Sequence, residues 1–185
     1  MSDKRTELEA LAKALVQHSG LRDLSFRQLA ERVGIKSSSV HYYFPEKGDL
    51  TVVLIKQYSE AFDQRLQAVS KTASTLHDTL MAFVDLFEEV GVDNKFCLCG
   101  MLAAEIASLD DESRGLLKLF FKQSEDWLTC VFTQHQDHVA STLPPDRLAA
   151  VLMSGLEGAL LLDRVHSLGR HLQAQRQLIA NFVIA

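Results

Sequence analysis

The sequence predicts an all-α chain: a three-helix head containing a helix-turn-helix, then a larger helical region. Three observations carry this. Apolar residues recur at helical spacing, as in Leu50, Leu54, Tyr58, Phe62 and Leu66. Helix punctuation falls where such runs stop, at Gly20, Gly34, Pro45, Gly91 and the pair Pro144 and Pro145. The stretch SFRQLAERVGIKSSSVHYYFPEK, residues 25–47, reads as two short helices joined by a tight turn.

The first helix is expected over residues 4–19, with Leu8, Leu11, Ala12 and Leu15 as its apolar stripe and Gly20 as its end. Leu21 to Leu24 connect it to the second. Ser25 can N-cap that helix, and Gln28, three residues on, can close a capping box. Leu29, Ala30 and Val33 share its apolar face. Gly34 suits the left-handed position that ends it. Ile35 is expected to plug the space between the two short helices. In the third helix, Val40 and Phe44 are four apart and can both turn inward. That leaves Ser37, Ser39, His41, Tyr42 and Tyr43 as polar or amphipathic side chains, several of which must face outward. An outward row of hydroxyls and rings on the second helix of a helix-turn-helix suits a DNA groove, where Ser and Tyr hydroxyls donate to phosphate and Arg forks onto guanine.

The string resembles the DNA-binding module of the TetR family of transcriptional regulators. The residues that carry the resemblance are Ser25, Leu29, Ala30, Val33, Gly34 and Ile35, then Val40, Tyr43, Phe44, Lys47 and Leu50. Three positions depart from the family pattern. Ser38 stands where Gly or Pro is frequent, His41 where Tyr is usual, and Lys36 where Ser often caps the recognition helix, which moves the expected cap to Ser37. The match runs through about the first fifty residues. Beyond them the likeness is one of helical character and length. The resemblance implies an N-terminal DNA-binding domain, residues 1–50, and a helical effector-binding and dimerisation domain, residues 51–185. It implies base-reading roles for Arg27 and Ser37, and phosphate contacts for Ser25, Ser39, Tyr42, Tyr43 and Lys47. Ser38 and His41 stand at contact positions with atypical side chains. Tyr43 and Phe44 are also open to a reading as plain core.

The remaining helices follow in order. One is expected from about Glu46 to Val69. Another starts after Thr75 or His77 and ends near Gly91, with Leu80, Phe83, Val84, Phe87 and Val90 on its apolar face. GVDNKFCLCG, residues 91–100, is the least regular stretch, and a short helix over Met101–Ser108 is expected after it. Asp110 or Asp111 can cap the next helix, with Glu112 in its first turn, and this helix runs to about His138. It is apolar around much of its circumference, so a central position is expected. The last two helices are expected over 146–166 and 172–183. Ser154, Gly155, Gly158 and Ala159 are small residues four apart, a sign of close helix packing within the chain or across a two-fold axis. The family resemblance favours the two-fold axis, making a homodimer through these two helices that reads a palindromic operator in double-stranded DNA.

Composition bounds the alternatives. At 185 residues the chain is long enough for a substantial core. No apolar run approaches a membrane span, and the charged, amphipathic N-terminus is unlike a secretory signal, so a cytoplasmic protein is expected. The net charge of −5 argues mildly against nucleic-acid binding. Its distribution softens the argument: residues 1–50 carry eight Lys and Arg against seven Asp and Glu, a balance of +1, while the rest carries eleven against seventeen. A weakly basic head implies few phosphate contacts from Lys and Arg and a moderate salt dependence.

The resemblance also implies an effector pocket among the middle helices, for an unidentified small molecule. Phe83, Phe87, Cys97, Cys99, Met101, Glu105 and Trp127 are its candidates, and each aromatic one can equally be core. The odd number of cysteines, three, argues against a disulfide framework. Cys97 and Cys99 admit three readings: small buried hydrophobes, reactive thiols activated at a helix start, or metal ligands with Cys130, His135 and His138. Glu105 can also belong to a solvated face. No cofactor is expected. Two other classes compete with a regulator. One is a small all-α enzyme with a Cys nucleophile, against which stand the lack of a nearby His and of an oxyanion-donor motif. The other is a helical interaction module without DNA binding.

Overall fold

The computed structural model describes residues 4–166 and 169–184. The described residues form nine α-helices: α1 Lys4–Ser19, α2 Phe26–Val33, α3 Ser37–Tyr43, α4 Lys47–Thr72, α5 Leu76–Gly91, α6 Leu98–Ala104, α7 Asp111–Gln134, α8 Pro145–His166 and α9 Arg170–Phe182. Single 3-10 turns follow α5, α6 and α7. The chain forms two compact units: Met1–Glu60 with Leu98–Leu119, and Ala61–Cys97 with Phe120–Ala185.

In the first unit, α1 packs on α2 and α6, and α2 packs on α3. The core is Leu8, Ala12, Val16, Leu24, Leu29, Ala30, Val40, Phe44, Leu50, Leu54 and Ile55. Each fully buried aliphatic side chain here contributes about 2 kcal/mol of transfer free energy. The α1 stripe is rotated from the expected one. Leu11 and Leu15 are only half-buried, while Val16 and the polar Glu9 and Gln17 turn inward. Glu9 can be buried because its two oxygens are used: Arg5 donates to one and Gln57 Nε2 to the other, both at 2.9 Å.

Several helix boundaries differ from expectation, most clearly those of α6, which also ends early at Ala104, and of α7. α6 starts at Leu98, three residues before Met101, because Leu98, Cys99 and Leu102 are buried, and their burial outweighs the poor helix propensity of Gly100. α7 ends at Gln134, and Gln136–His138 tighten into a 3-10 turn. α7 is also less uniformly apolar-facing than its sequence suggested: Leu119 is exposed. At its start Asp110 accepts from the Ser113 N–H at 2.7 Å, so Asp110 is the capping side chain.

In the second unit, α5, α8 and α9 pack against one another. Arg176 of α9 spans two carboxylates of α5, Asp85 and Glu88. α8 and α9 are joined through Asp163, whose carboxylate accepts from the N–H groups of His171 and Leu172 at 2.9 Å each and meets His171 Nδ1 at 2.7 Å. Burial works to raise the Asp163 pKa, but these bonds together outweigh it and hold the carboxyl below its usual range. The start of α9 is thus capped by a side chain from the preceding helix, since its own N-cap residue, Gly169, has none to offer.

Candidate DNA-binding head and effector-facing helices

The helix-turn-helix is closed by backbone chemistry. Ser25 Oγ accepts from the Gln28 N–H at 3.2 Å, satisfying one of the donors left open at the start of α2. Gly34 is left-handed at φ 72°, and the N–H groups of Gly34 and Ile35 both reach the Ala30 carbonyl. Lys4 adds a third closure, donating its ammonium to the Val33 carbonyl at 3.3 Å. Ile35 is half-buried in the turn.

α3 starts at Ser37, the residue expected to cap it, so its N-cap lies one residue earlier than expected. Lys36 is the N-cap, without a side-chain hydrogen bond, and Ser37 is the first helical residue. Its hydroxyl is therefore not used as a cap. Val40 and Phe44 are buried, which fixes the rotation of the helix. Ser37, Ser38, His41 and Tyr42 are then exposed, and Ser39 and Tyr43 are half-buried. Tyr42 is 82% exposed, far beyond what an aromatic ring adopts for packing. The Tyr43 ring meets it edge-on, with centroids 5.5 Å apart. His41 is held in place: its ring lies edge-on to Phe26 at 5.0 Å, and Nδ1 is 3.2 Å from the Pro45 carbonyl oxygen. Arg27 is exposed and pairs with Glu31 at 3.0 Å, a solvated i,i+4 pair that costs little to open. Lys47 is half-buried, and its ammonium donates to the Leu21 carbonyl at 3.0 Å. Sequence reading gave no contact role to Lys36, an exposed residue at the start of α3, and passed over Phe26, the platform for His41. The signal for Phe26 was an aromatic directly after the cap.

The seven effector candidates fall in different units. Phe83, Phe87, Cys97 and Trp127 belong to the second, and Cys99, Met101 and Glu105 to the first. Within the second unit, Phe83 and Phe87 are buried and neighbours at 5.5 Å, and Trp127 stacks on Phe83 at 5.5 Å. Phe62 joins Phe83, Phe87 and Phe120 in the same cluster. Trp127 Nε1 donates to Ser70 Oγ at 3.0 Å. Within the first unit, Glu105 accepts from the Arg22 N–H and packs on Gly20, with Met101 Sδ close by. Cys97 and Cys99 are 3% and 0% exposed, whereas Cys130 is exposed. Among the described residues no group of three His, Cys, Asp or Glu could hold a metal ion. No helix among them is long and apolar enough to cross a membrane.

Two features escaped sequence reading. Glu157 lies in α8 with both carboxylate oxygens out of contact with solvent and without a hydrogen bond of ordinary geometry. Its signal was a lone carboxylate inside the apolar run SGLEGALLL. Val151, Leu162 and Val165 are exposed on α8, and with Gly155 and Gly158 they recur at alternating steps of four and three, which makes one stripe. Gly155 faces Gln175 of α9, which a Cβ would meet at 2.9 Å, but a Cβ on Gly158 would meet nothing within 4 Å.

Known proteins resemble this chain in sequence and in fold. Residues 8–53 match the family model for bacterial regulatory proteins of the tetR family. The transcriptional regulator AcuR of Cereibacter sphaeroides is 25% identical, over 91% of this chain and 86% of its own length. The structure of a TetR transcriptional regulator from Legionella pneumophila is similar at a TM-score of 0.90 and 29% identity, covering 99% of this chain and 98% of that one. A TetR-family regulator from Agrobacterium tumefaciens is similar at a TM-score of 0.92 and 26% identity, covering 97% of both chains.

Proposed function

We propose that this chain, which belongs to the TetR family of transcriptional regulators, is a ligand-responsive repressor that binds a palindromic operator as a homodimer in the cytoplasm. Residues 1–50 are its DNA-binding domain and residues 51–185 its effector-binding and dimerisation domain. The observation that carries the reading is the division of α3. Val40 and Phe44 are buried, and Ser37, Ser38, His41 and the Tyr42 ring are left facing out.

In this reading α3 enters the major groove. Ser37 and Arg27 read base edges, with Arg27 leaving Glu31 to do so. Ser25, Ser39, Tyr42, Tyr43 and Lys47 hold phosphates, and Ser38 and His41 shape the fit to the groove. The exposed stripe Val151, Gly158, Leu162 and Val165, with Leu161 on α8 and Leu178 on α9, supports the homodimer, because a contiguous apolar surface gains most from a partner. A two-fold dimer reads half-sites about 34–36 Å apart or a multiple of that.

Release by a small molecule fits better than release by thiol modification. Cys97 and Cys99 are buried, and a reagent reaches them only after the surrounding structure opens. The effector acts by binding one of two head spacings more tightly than the other. The relatives are transcriptional regulators and not enzymes, which sets aside a Cys-dependent catalyst.

Selection of bound duplexes from a random pool tests the reading. The expected product is an inverted repeat. Recovery of unrelated sequences, or of single half-sites bound by monomers, would refute it.

A further inference from the structure

Glu157 holds a buried carboxylate within the apolar run of α8. Both oxygens are out of contact with solvent, and neither accepts a hydrogen bond of ordinary geometry. The Cys97 thiol lies beside them and offsets a small part of the burial, being a weak donor. Burial pushes the carboxyl up to about 7. On α9, packed against α8, Arg176 pairs with Asp85 and Glu88, and the His171 ring meets Asp163. A buried acceptor without a partner costs free energy unless something supplies a donor.

The place of Glu157 in the fold gives the rest. The start of α5 and the start of α8 both adjoin the end of α7, the first through His77, His135 and His138 and the second through Phe132 and Pro145. Near their other ends, Gly91 of α5 meets Leu160 of α8. The two helices therefore run in the same direction. Glu157 stands one turn before Leu160, and Phe87 one turn before Gly91, which places the two residues at a similar level along this helix pair. Phe87 leads to Phe83 and to the Trp127 ring stacked on it.

We propose that Glu157 is the polar anchor for a small cationic amine, whose apolar part lies against the Phe87, Phe83 and Trp127 rings. The ammonium supplies the donors that the carboxylate lacks, and the ring faces favour a neighbouring cation. The proposal rests on the reading of residues 51–185 as an effector domain and names the chemical class that domain takes.

The test uses isothermal titration of the full-length protein with phenethylamine, its neutral counterpart 2-phenylethanol, and 3-phenylpropionate. Phenethylamine is expected to bind at least tenfold more tightly than either. E157Q is expected to lose that preference. Wild-type affinity for phenethylamine is expected to rise about tenfold from pH 6 to pH 8, as the carboxylate ionises while the amine stays charged. The pH series uses only the wild-type chain, so it stands even if E157Q folds poorly. Tighter binding of the alcohol or the acid, amine affinity that falls with pH, E157Q binding like wild type, or no amine binding at millimolar concentration would each overturn the proposal. Operator binding is measured separately without amine. Its loss sinks the regulator reading, and an amine result against Glu157 sinks only the anchor.

Discussion

The carboxylate of Glu105 accepts a hydrogen bond at 3.0 Å from the backbone N–H of Arg22, 83 residues away in the chain. Its other oxygen lies where a Cβ on Gly20 would be, 2.3 Å from that position. Gly20 is left-handed at φ 90°. The loop between α1 and α2 therefore has a conformation that favours glycine, and a brace from the residue that follows α6.

This relationship predicts that Gly20→Ala destabilises the protein by about 1–3 kcal/mol, since the new Cβ meets both an unfavourable φ and a carboxylate. Glu105→Ala removes one hydrogen bond to a charged acceptor and costs about 1–2 kcal/mol. Urea denaturation checks both. Equal midpoints for Gly20→Ala and wild type would show that the loop does not need this conformation.

On α3, inward and outward faces predict opposite phenotypes. Val40→Ala is expected to cost about 1–3 kcal/mol of stability. Tyr42→Ala is expected to leave the urea midpoint within about 0.5 kcal/mol of wild type and to weaken operator binding about tenfold, the loss of one phosphate hydrogen bond and its ring contact. Denaturation and DNA titration of both variants separate the two roles.

Much of the head was legible because its signals are local. Ser25 caps α2, Gly34 ends it, and Val40 and Phe44 turn inward, all within a few residues of sequence. What could not be read depends on tertiary partners. Glu9 is buried because Arg5 and Gln57 reach it, and Gln57 lies 48 residues away. α9 is capped by Asp163 of α8, so no local cap signal marks its start. The candidate effector residues were grouped by residue type, but Cys99, Met101 and Glu105 fold into the unit that holds the head. Glu157 was missed because a single Glu on a helix is usually solvated, and only the packing of α8 buries this one.

The raised Glu157 pKa carries a pH dependence of fixed sign. In the unfolded chain the carboxyl ionises near 4.5, while in the folded chain it holds its proton to about 7. Stability is therefore lost as pH rises between these values, up to about 3 kcal/mol above pH 7. Glu157→Gln removes this contribution, so its stability curve is expected to be flatter than wild type from pH 5 to pH 8. Urea midpoints at pH 5, 6, 7 and 8 for both proteins are the check, and parallel curves would contradict it.

The α8 stripe makes a prediction about assembly. Leu162→Glu together with Val165→Glu places two charges on an exposed apolar surface and is expected to give a folded monomer in place of a dimer. Light scattering coupled to size exclusion reads the mass directly. A dimer that survives both changes would place the interface elsewhere.

In the proposed function α3 confers sequence-specific DNA binding. Fluorescence anisotropy with the intergenic DNA upstream of its own gene, at several salt concentrations and against a scrambled duplex, tests it most directly. Expected are tight binding to that DNA that the scramble cannot match, a moderate salt slope from the weakly basic head, and loss of the preference in a Ser37→Ala and Tyr42→Ala double variant. Equal binding of the two duplexes at every salt concentration, or a double variant that keeps the full preference, would contradict it.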